Sequence, residues 1–268
     1  MKPQRITFGR MYPNAGYVAR YRRELRILIK AMKKDTLIEM RTLVDSMADD
    51  AKEKVTLTTI MARLRNRWYK VFEKRAREMS RWLAETVKKR TRKDILNQLK
   101  KMGMAFEPHY TAEQETIIAG FVKESTELIK TIPQEFLRGV QEQMRDATET
   151  MDRHAIKEML EGEFDTDKYP FLADAEKAER RAELIASDQT QKVTQEYARE
   201  NAKAYGATQA EWIHIPGEKT SRITHIEMDG KIFNIDDGLY DEDVGRNVKP
   251  GELIYCRCSA SYIFPGTE

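Results

Sequence analysis

From Tyr17 through Met102 the chain has neither glycine nor proline, the two residues that most readily end a helix. Within that stretch Leu25, Leu28, Ile29, Met32, Met40, Leu43, Val44 and Met47 recur at three- and four-residue steps, an apolar stripe along one helix. The pattern weakens at Asp49-Asp50. A second stripe follows in Ile60, Leu64, Trp68, Val71, Phe72, Met79, Leu83 and Val87, and Arg63, Arg65, Arg67, Lys70, Lys74, Arg75, Arg77 and Arg81 supply its polar side. Such a chain must fold as long helices, in a hairpin or a layered bundle.

The rest of the chain changes character in steps. Gly103 and Pro108 interrupt the helices, and Thr111 is placed to cap a helix over 112–130. Pro133 suits the first turn of a further helix to about Arg145. A short helix is expected over 152–161, a turn at Asp165–Pro170, and a long alanine-rich helix over 173–204, ended by Gly206. Beyond it, Gln209–Ile215 and Lys231–Ile235 read as strands, with a turn at Pro216–Lys219. Ile223–Met228 is ambiguous between short helix and extended chain. Gly238–Gly251 reads as a long acidic loop, and Leu253–Cys256 and Ala260–Phe264 as short strands. The expected class is α+β: long N-terminal helices, then a small C-terminal α+β domain with a short antiparallel sheet. The domains expected are a basic helical arm over 1–104, a helical connecting region over 105–170 and the α+β domain over 171–268.

Charge divides the chain more sharply than its net of +3 suggests. Residues 1–100 hold 27 Lys and Arg against 11 Asp and Glu; the remainder holds 20 against 33. Two surfaces with different partners would follow. Lys88, Lys89, Arg90, Arg92 and Lys93 form the densest basic cluster and the first choice for sequence-independent contact with double-stranded DNA. An acidic protein surface is the competing use of that charge. No stretch is apolar enough for a membrane span, and the first residues lack a secretion signal. Two cysteines cannot form the framework of a small disulfide-rich protein, which points to synthesis in a reducing cytosol.

Those two cysteines, Cys256 and Cys258, are one residue apart, and two of the four histidines, His214 and His225, lie just upstream. Sulfur and nitrogen donors of this kind suit zinc, held by His225, Cys256 and Cys258 with His214 as a further candidate. A buried reduced pair steadying a chain crossing is the blander reading, and a strained disulfide the third. Arg222, His225 and Asp229 would permit acid–base chemistry or simply knit a polar turn. No nucleophile stands beside the histidine in sequence and no glycine-rich phosphate loop is present. The expectation is a non-enzymatic protein with no required cofactor, zinc being the one exception these donors leave open.

An ordered set of residues runs through the C-terminal half: Arg180-Arg181-Ala182-Glu183, Asp188, Gly206, Trp212, Arg222-x-x-His225-x-x-x-Asp229-Gly230, Pro250-Gly251 and Cys256-Arg257-Cys258. In this order it resembles the phage Mu F-like minor head proteins, also called the SPP1 gene 7-like head morphogenesis family. The resemblance covers about 120–265. It makes Glu183, Asp188, Trp212, Arg222, His225, Asp229, Gly230, Cys256 and Cys258 the motif residues, with structural roles. Two positions depart from the pattern: Asp188 stands where a glutamate is usual, and Tyr255 where an asparagine often precedes the first cysteine.

The resemblance implies a tailed-phage minor head protein, made in the host cytoplasm and placed in the virion at or near the portal. Its implied partners are the portal protein, the major capsid protein or a scaffolding protein, with packaged DNA as a further contact. The alternatives are a non-viral nucleic-acid-binding helical protein and a metal-dependent hydrolase or nuclease using His225, Asp229 and the cysteines.

Overall fold

The computed structural model describes residues 6–7, 11–48, 55–101, 103, 113–161, 171–216 and 221–264. Five helices dominate: α1 (Ala15–Ser46), α2 (Leu57–Lys101), α3 (Glu113–Thr150), α4 (Arg153–Glu161) and α5 (Phe171–Ala204). Strand β1 (Ile6–Thr7) precedes them. After α5 come β2 (Gln209–Ile213), a short α6 (Ile223–Glu227), β3 (Ile232–Asn234), β4 (Leu239–Asp241), β5 (Arg246–Val248) and β6 (Ser259–Phe264). The architecture is α+β, with long helices first and a short antiparallel sheet after them. The expected cap at Thr111, the break at Pro108, the turn at 165–170 and residues 217–219 of the following turn lie outside the described residues.

Local chemistry sets the helix ends. Asn14 Oδ1 accepts the Tyr17 N–H at 3.2 Å, Thr56 Oγ1 the Thr59 N–H at 3.2 Å, and Asp152 Oδ1 the Ala155 N–H at 2.8 Å. Each satisfies an N–H that the first turn leaves without a helical partner. Gly206, at φ +92°, ends α5, and the Ala207 N–H returns to the Ala202 carbonyl. One boundary differs from the expectation. Pro133 lies inside α3 instead of opening a new helix. Its missing N–H costs one helical bond, but Ile129, Ile132, Phe136, Leu137 and Val140 are buried on both sides of it and keep the helix continuous.

The chain forms two compact units. The first joins residues 1–18, 80–122 and 187–268; the second joins 19–79 and 123–186. In the second, Arg75 pairs with Glu24, Arg67 with Asp35 and Arg63 with Glu39, so α1 and α2 run antiparallel. Arg22 and Arg26 of α1 reach Glu183 and Glu179 of α5, and Arg181 reaches Glu135 of α3. Tyr21, Leu25, Ile29, Ile60, Leu64, Phe72 and Phe136 are buried beneath these pairs. Truncating Phe72 or Phe136 to alanine would cost about 3–5 kcal/mol, well above what any one of the surface ion pairs contributes.

In the first unit the four-stranded sheet has the order β1-β6-β2-β3, every pair antiparallel. Trp212, Phe233, Tyr262 and Phe264 of the sheet share a core with Ala198, Ala202 and Tyr205 from the end of α5 and Ile95 and Leu99 of α2. Asn201 of α5 donates to Thr91 Oγ1 of α2 at 2.9 Å, a buried polar tie across that core. The acidic stretch 238–251, expected as a loop, contains the hairpin β4–β5. Its turn closes as the Val244 and Gly245 N–H groups meet the Asp241 carbonyl. Leu253–Cys256, expected as a strand, is a run of turns instead, because positive φ at Gly251 and Tyr255 bends the backbone away from extension.

Candidate metal centre

The two cysteines enter the core on a turn held by α5. Gln191 Nε2 donates to the Arg257 carbonyl at 3.1 Å and the Cys258 carbonyl at 2.9 Å. Asp188 Oδ1 accepts the Tyr255 N–H at 2.7 Å. Gly251, at φ +77°, donates its N–H to Cys256 Sγ at 3.3 Å. A Cβ at Gly251 would lie 2.6 Å from Gln195 Cγ, so only glycine allows this approach. Arg257 points out to solvent, while Cys256 and Cys258 are only 5% and 2% exposed.

His225 on α6 completes the group. Its Nδ1 lies 3.4 Å from Cys256 Sγ and 3.7 Å from Cys258 Sγ, and the ring is 3% exposed. The donor atoms of His225, Cys256 and Cys258 all lie within 4.8 Å of one another. A tetrahedral zinc ion with ordinary Zn–S and Zn–N bonds sets a nitrogen and a sulfur about 3.5 Å apart along each edge. The observed spacing therefore fits the ion. Both cysteines are free thiols, so the disulfide is not formed. His214 Nδ1 approaches Cys258 Sγ at 3.7 Å but does not join the mutual set.

The protons in this cluster are shared. The Cys256 thiol donates toward Cys258, which pulls Cys258 below its ordinary value; the same bond and burial push Cys256 well above it. Burial alone would depress His225, but the Cys256 sulfur and the Asp241 carboxylate outweigh it and raise the imidazole. Ring contacts fix its plane: Trp212 lies edge-on, with centroids 5.1 Å apart. A divalent cation bound here would displace the thiol protons.

The other residues singled out in the sequence are distributed as follows. Trp212 is fully buried in the sheet core. Asp229 does not meet His225; its Oδ1 accepts the His214 N–H at 2.7 Å and holds that loop to α6. Gly230, at φ +75°, donates to the Trp212 carbonyl at 2.9 Å. Arg222 donates to the Ile254 carbonyl at 3.1 Å, neither to Asp229 nor to Asp188. Glu183 belongs to the other unit, paired with Arg22. Lys88, Lys89, Arg90, Arg92 and Lys93 lie along α2, with Arg90 paired to Asp94 and stacked 5.9 Å from the Tyr17 ring.

Sequence reasoning singles out Pro250-Gly251 beside the cysteines but misses the roles of Asp241 and Gln191. By composition Asp241 belongs to a solvated acidic loop, yet it is fully buried with Oδ2 3.1 Å from His225 Nε2. Its neighbours in sequence, Glu242 and Asp243, are exposed, so nothing in the local composition marks it out.

The expectation of a non-enzymatic chain is corrected by this geometry. A buried His225–Cys256–Cys258 set with ligand-like spacing is positive structural support for a metal-binding or catalytic site. The sequence singles out these three donors, and the fold brings their ligand atoms together.

No described helix is long and apolar enough to cross a membrane. Neither curated proteins nor solved structures yield a match to the chain. A family model described as Phage Mu protein F like protein matches residues 131–261, from the middle of α3 to β6, and so contains the whole metal centre. Over these residues, 131 of its 268, the chain is similar to the phage Mu F-like head-morphogenesis family.

Proposed function

We propose that this protein binds one zinc ion through His225, Cys256 and Cys258. The observation that carries the reading is the mutual approach of three buried donors at tetrahedral-edge spacing. Thiolates and imidazole form a soft donor set that favours zinc over magnesium or calcium. The ion would tie α6 to the cysteine turn, and so join two segments that share no strand pairing. Metal analysis of the purified full-length chain tests this. About one zinc per chain is expected, lost in His225→Ala and Cys256→Ser. A wild-type chain that stays metal-free in excess zinc ends the reading.

One observation favours a catalytic use of the same ion. The mutual set has three members, and His214 stands outside it. Three protein ligands with one open position is the ligand count of hydrolytic zinc sites, whereas structural sites are closed by a fourth. We therefore include metal-dependent hydrolysis, of ester, peptide or phosphodiester bonds, in the proposal. Turnover by zinc-loaded protein that vanishes on chelation and in Cys258→Ser supports it. Equal rates in loaded and chelated protein remove it.

We further propose that the protein acts in the phage head at or near the portal, with the portal, major capsid or scaffolding protein as its partner. The match of residues 131–261 to the family model and the separation of basic and acidic halves support this reading. Packaged DNA would meet the basic cluster at Lys88–Lys93. Copurification from infected or reconstituted heads, with and without the portal protein, is the test.

A further inference from the structure

We infer that Asp241 is the positioning residue of the metal centre, holding His225 with Nδ1 turned toward the ion; this rests on the zinc reading above. Asp241 ends β4 and is fully buried, with Oδ2 3.1 Å from His225 Nε2. Its second oxygen, Oδ1, accepts the Asp243 N–H at 3.0 Å. A carboxylate can only accept, so the ring must carry its proton on Nε2. That leaves the Nδ1 lone pair facing Cys256 and Cys258, which is the orientation an ion between the three would require. Carboxylate, imidazole and metal in line are a recurrent arrangement that fixes the tautomer and makes the ring a stronger donor.

The cost of burying Asp241 points the same way. A buried carboxylate needs a compensating charge, and an amide or apolar residue would be cheaper if shape alone mattered. Among the described residues no lysine or arginine pairs with it; His225 is its one ionisable partner. The positive charge that balances it is then either a protonated imidazole or an imidazole bound to a cation. The hairpin that carries Asp241 is itself built for this placement. Gly238, at φ +79°, admits no Cβ because one would lie 2.3 Å from the Val248 carbonyl oxygen, so the chain enters β4 pressed against the end of β5. The acidic excursion between β3 and Gly251 thus meets the metal centre twice, through Asp241 on His225 and through the Gly251 N–H on Cys256.

The experiment is a zinc-affinity measurement by chelator competition on full-length wild type, Asp241→Asn and Asp241→Leu, with melting curves of apo and loaded forms. Both variants should bind zinc about 10–100-fold more weakly, and the loaded form should lose more thermal stability than the apo form. Wild-type affinity in both variants overturns the inference and leaves the zinc reading standing. Equal losses of stability in apo and loaded forms also overturn it, since the aspartate would then serve the fold alone. A wild-type chain that takes up no zinc removes the inference together with the reading beneath it. Imidazole nitrogen shifts of the loaded wild type give a check that needs no variant. Nδ1 ligated with Nε2 protonated is expected, and Nε2 ligation overturns the assignment.

Discussion

The Trp212 indole meets the His225 imidazole edge-on, at 75° between planes, and meets Phe233 in the same manner on another side. Trp212 sits on β2, paired with Ala260 of β6, so the sheet core and the metal centre share one side chain. Trp212→Ala should therefore cost about 3–5 kcal/mol in denaturant unfolding and abolish zinc retention as well. The milder Trp212→Phe should keep the fold but erase any change in tryptophan emission on zinc addition. If emission still responds in that variant, Trp68 or Trp82 reports the ion and the coupling is misassigned.

What is legible in the sequence is local, and what is not has a common cause. The stripes from Leu25 to Met47 and from Ile60 to Val87 are local patterns, and α1 and α2 follow them. His225, Cys256 and Cys258 stand out because rare residue types cluster in sequence. Asp241 and Gln191 do not, since a buried aspartate looks like its exposed neighbours and a glutamine on a helix looks like surface. Their roles depend on partners 16 and 67 residues away. The regrouping of residues 1–18 and 80–122 with 187–268 is likewise a long-range packing outcome with no periodic signature.

Zinc binding should weaken steeply toward acid. The raised His225 and the raised Cys256 hold protons that uptake must release, and affinity should change about tenfold per pH unit for each proton released. The metal-free protein should show the opposite trend from its histidine. A folded-state value above the unfolded value of about 6.5 gives stability that is complete below that pH and is lost as pH rises through the folded value. Melting curves of apo wild type and apo His225→Gln between about pH 5.5 and 8 isolate this contribution. A histidine contribution that grew with pH would reverse the assigned sign.

Tyr255 carries positive φ, +61°, while its side chain is 57% exposed. The left-handed region costs a residue with a bulky Cβ substituent about 1 kcal/mol, and asparagine and glycine visit it most readily. That accounts for the asparagine the resemblance leads one to expect before the first cysteine. Tyr255→Asn should stabilise the C-terminal unit by about 0.5–1 kcal/mol and keep the backbone bond to Asp188. Asp188→Ala, which removes that acceptor, should cost about 1 kcal/mol. Destabilisation by Tyr255→Asn would mean that the tyrosine ring makes a contact worth more than the strain.

The basic residues of α2 fall into two groups. Arg63, Arg67, Arg75 and Arg77 are each paired with a carboxylate, which removes much of their charge from outward view. Toward the other end Lys89, Arg92, Lys93 and Lys100 are exposed, and residues 80–101 hold eight basic side chains against Glu85 and Asp94. If DNA is bound, this end should neutralise phosphates without reading sequence. Replacing Lys88, Lys89, Arg90, Arg92 and Lys93 together with glutamine should weaken binding equally on unrelated duplexes. The slope of log affinity against log salt should fall by about 0.9 for each phosphate that the variant no longer neutralises. The Arg67→Gln control should leave that slope unchanged, because its partner Asp35 already occupies the guanidinium. A five-fold variant with the parental slope would move the DNA contact away from α2.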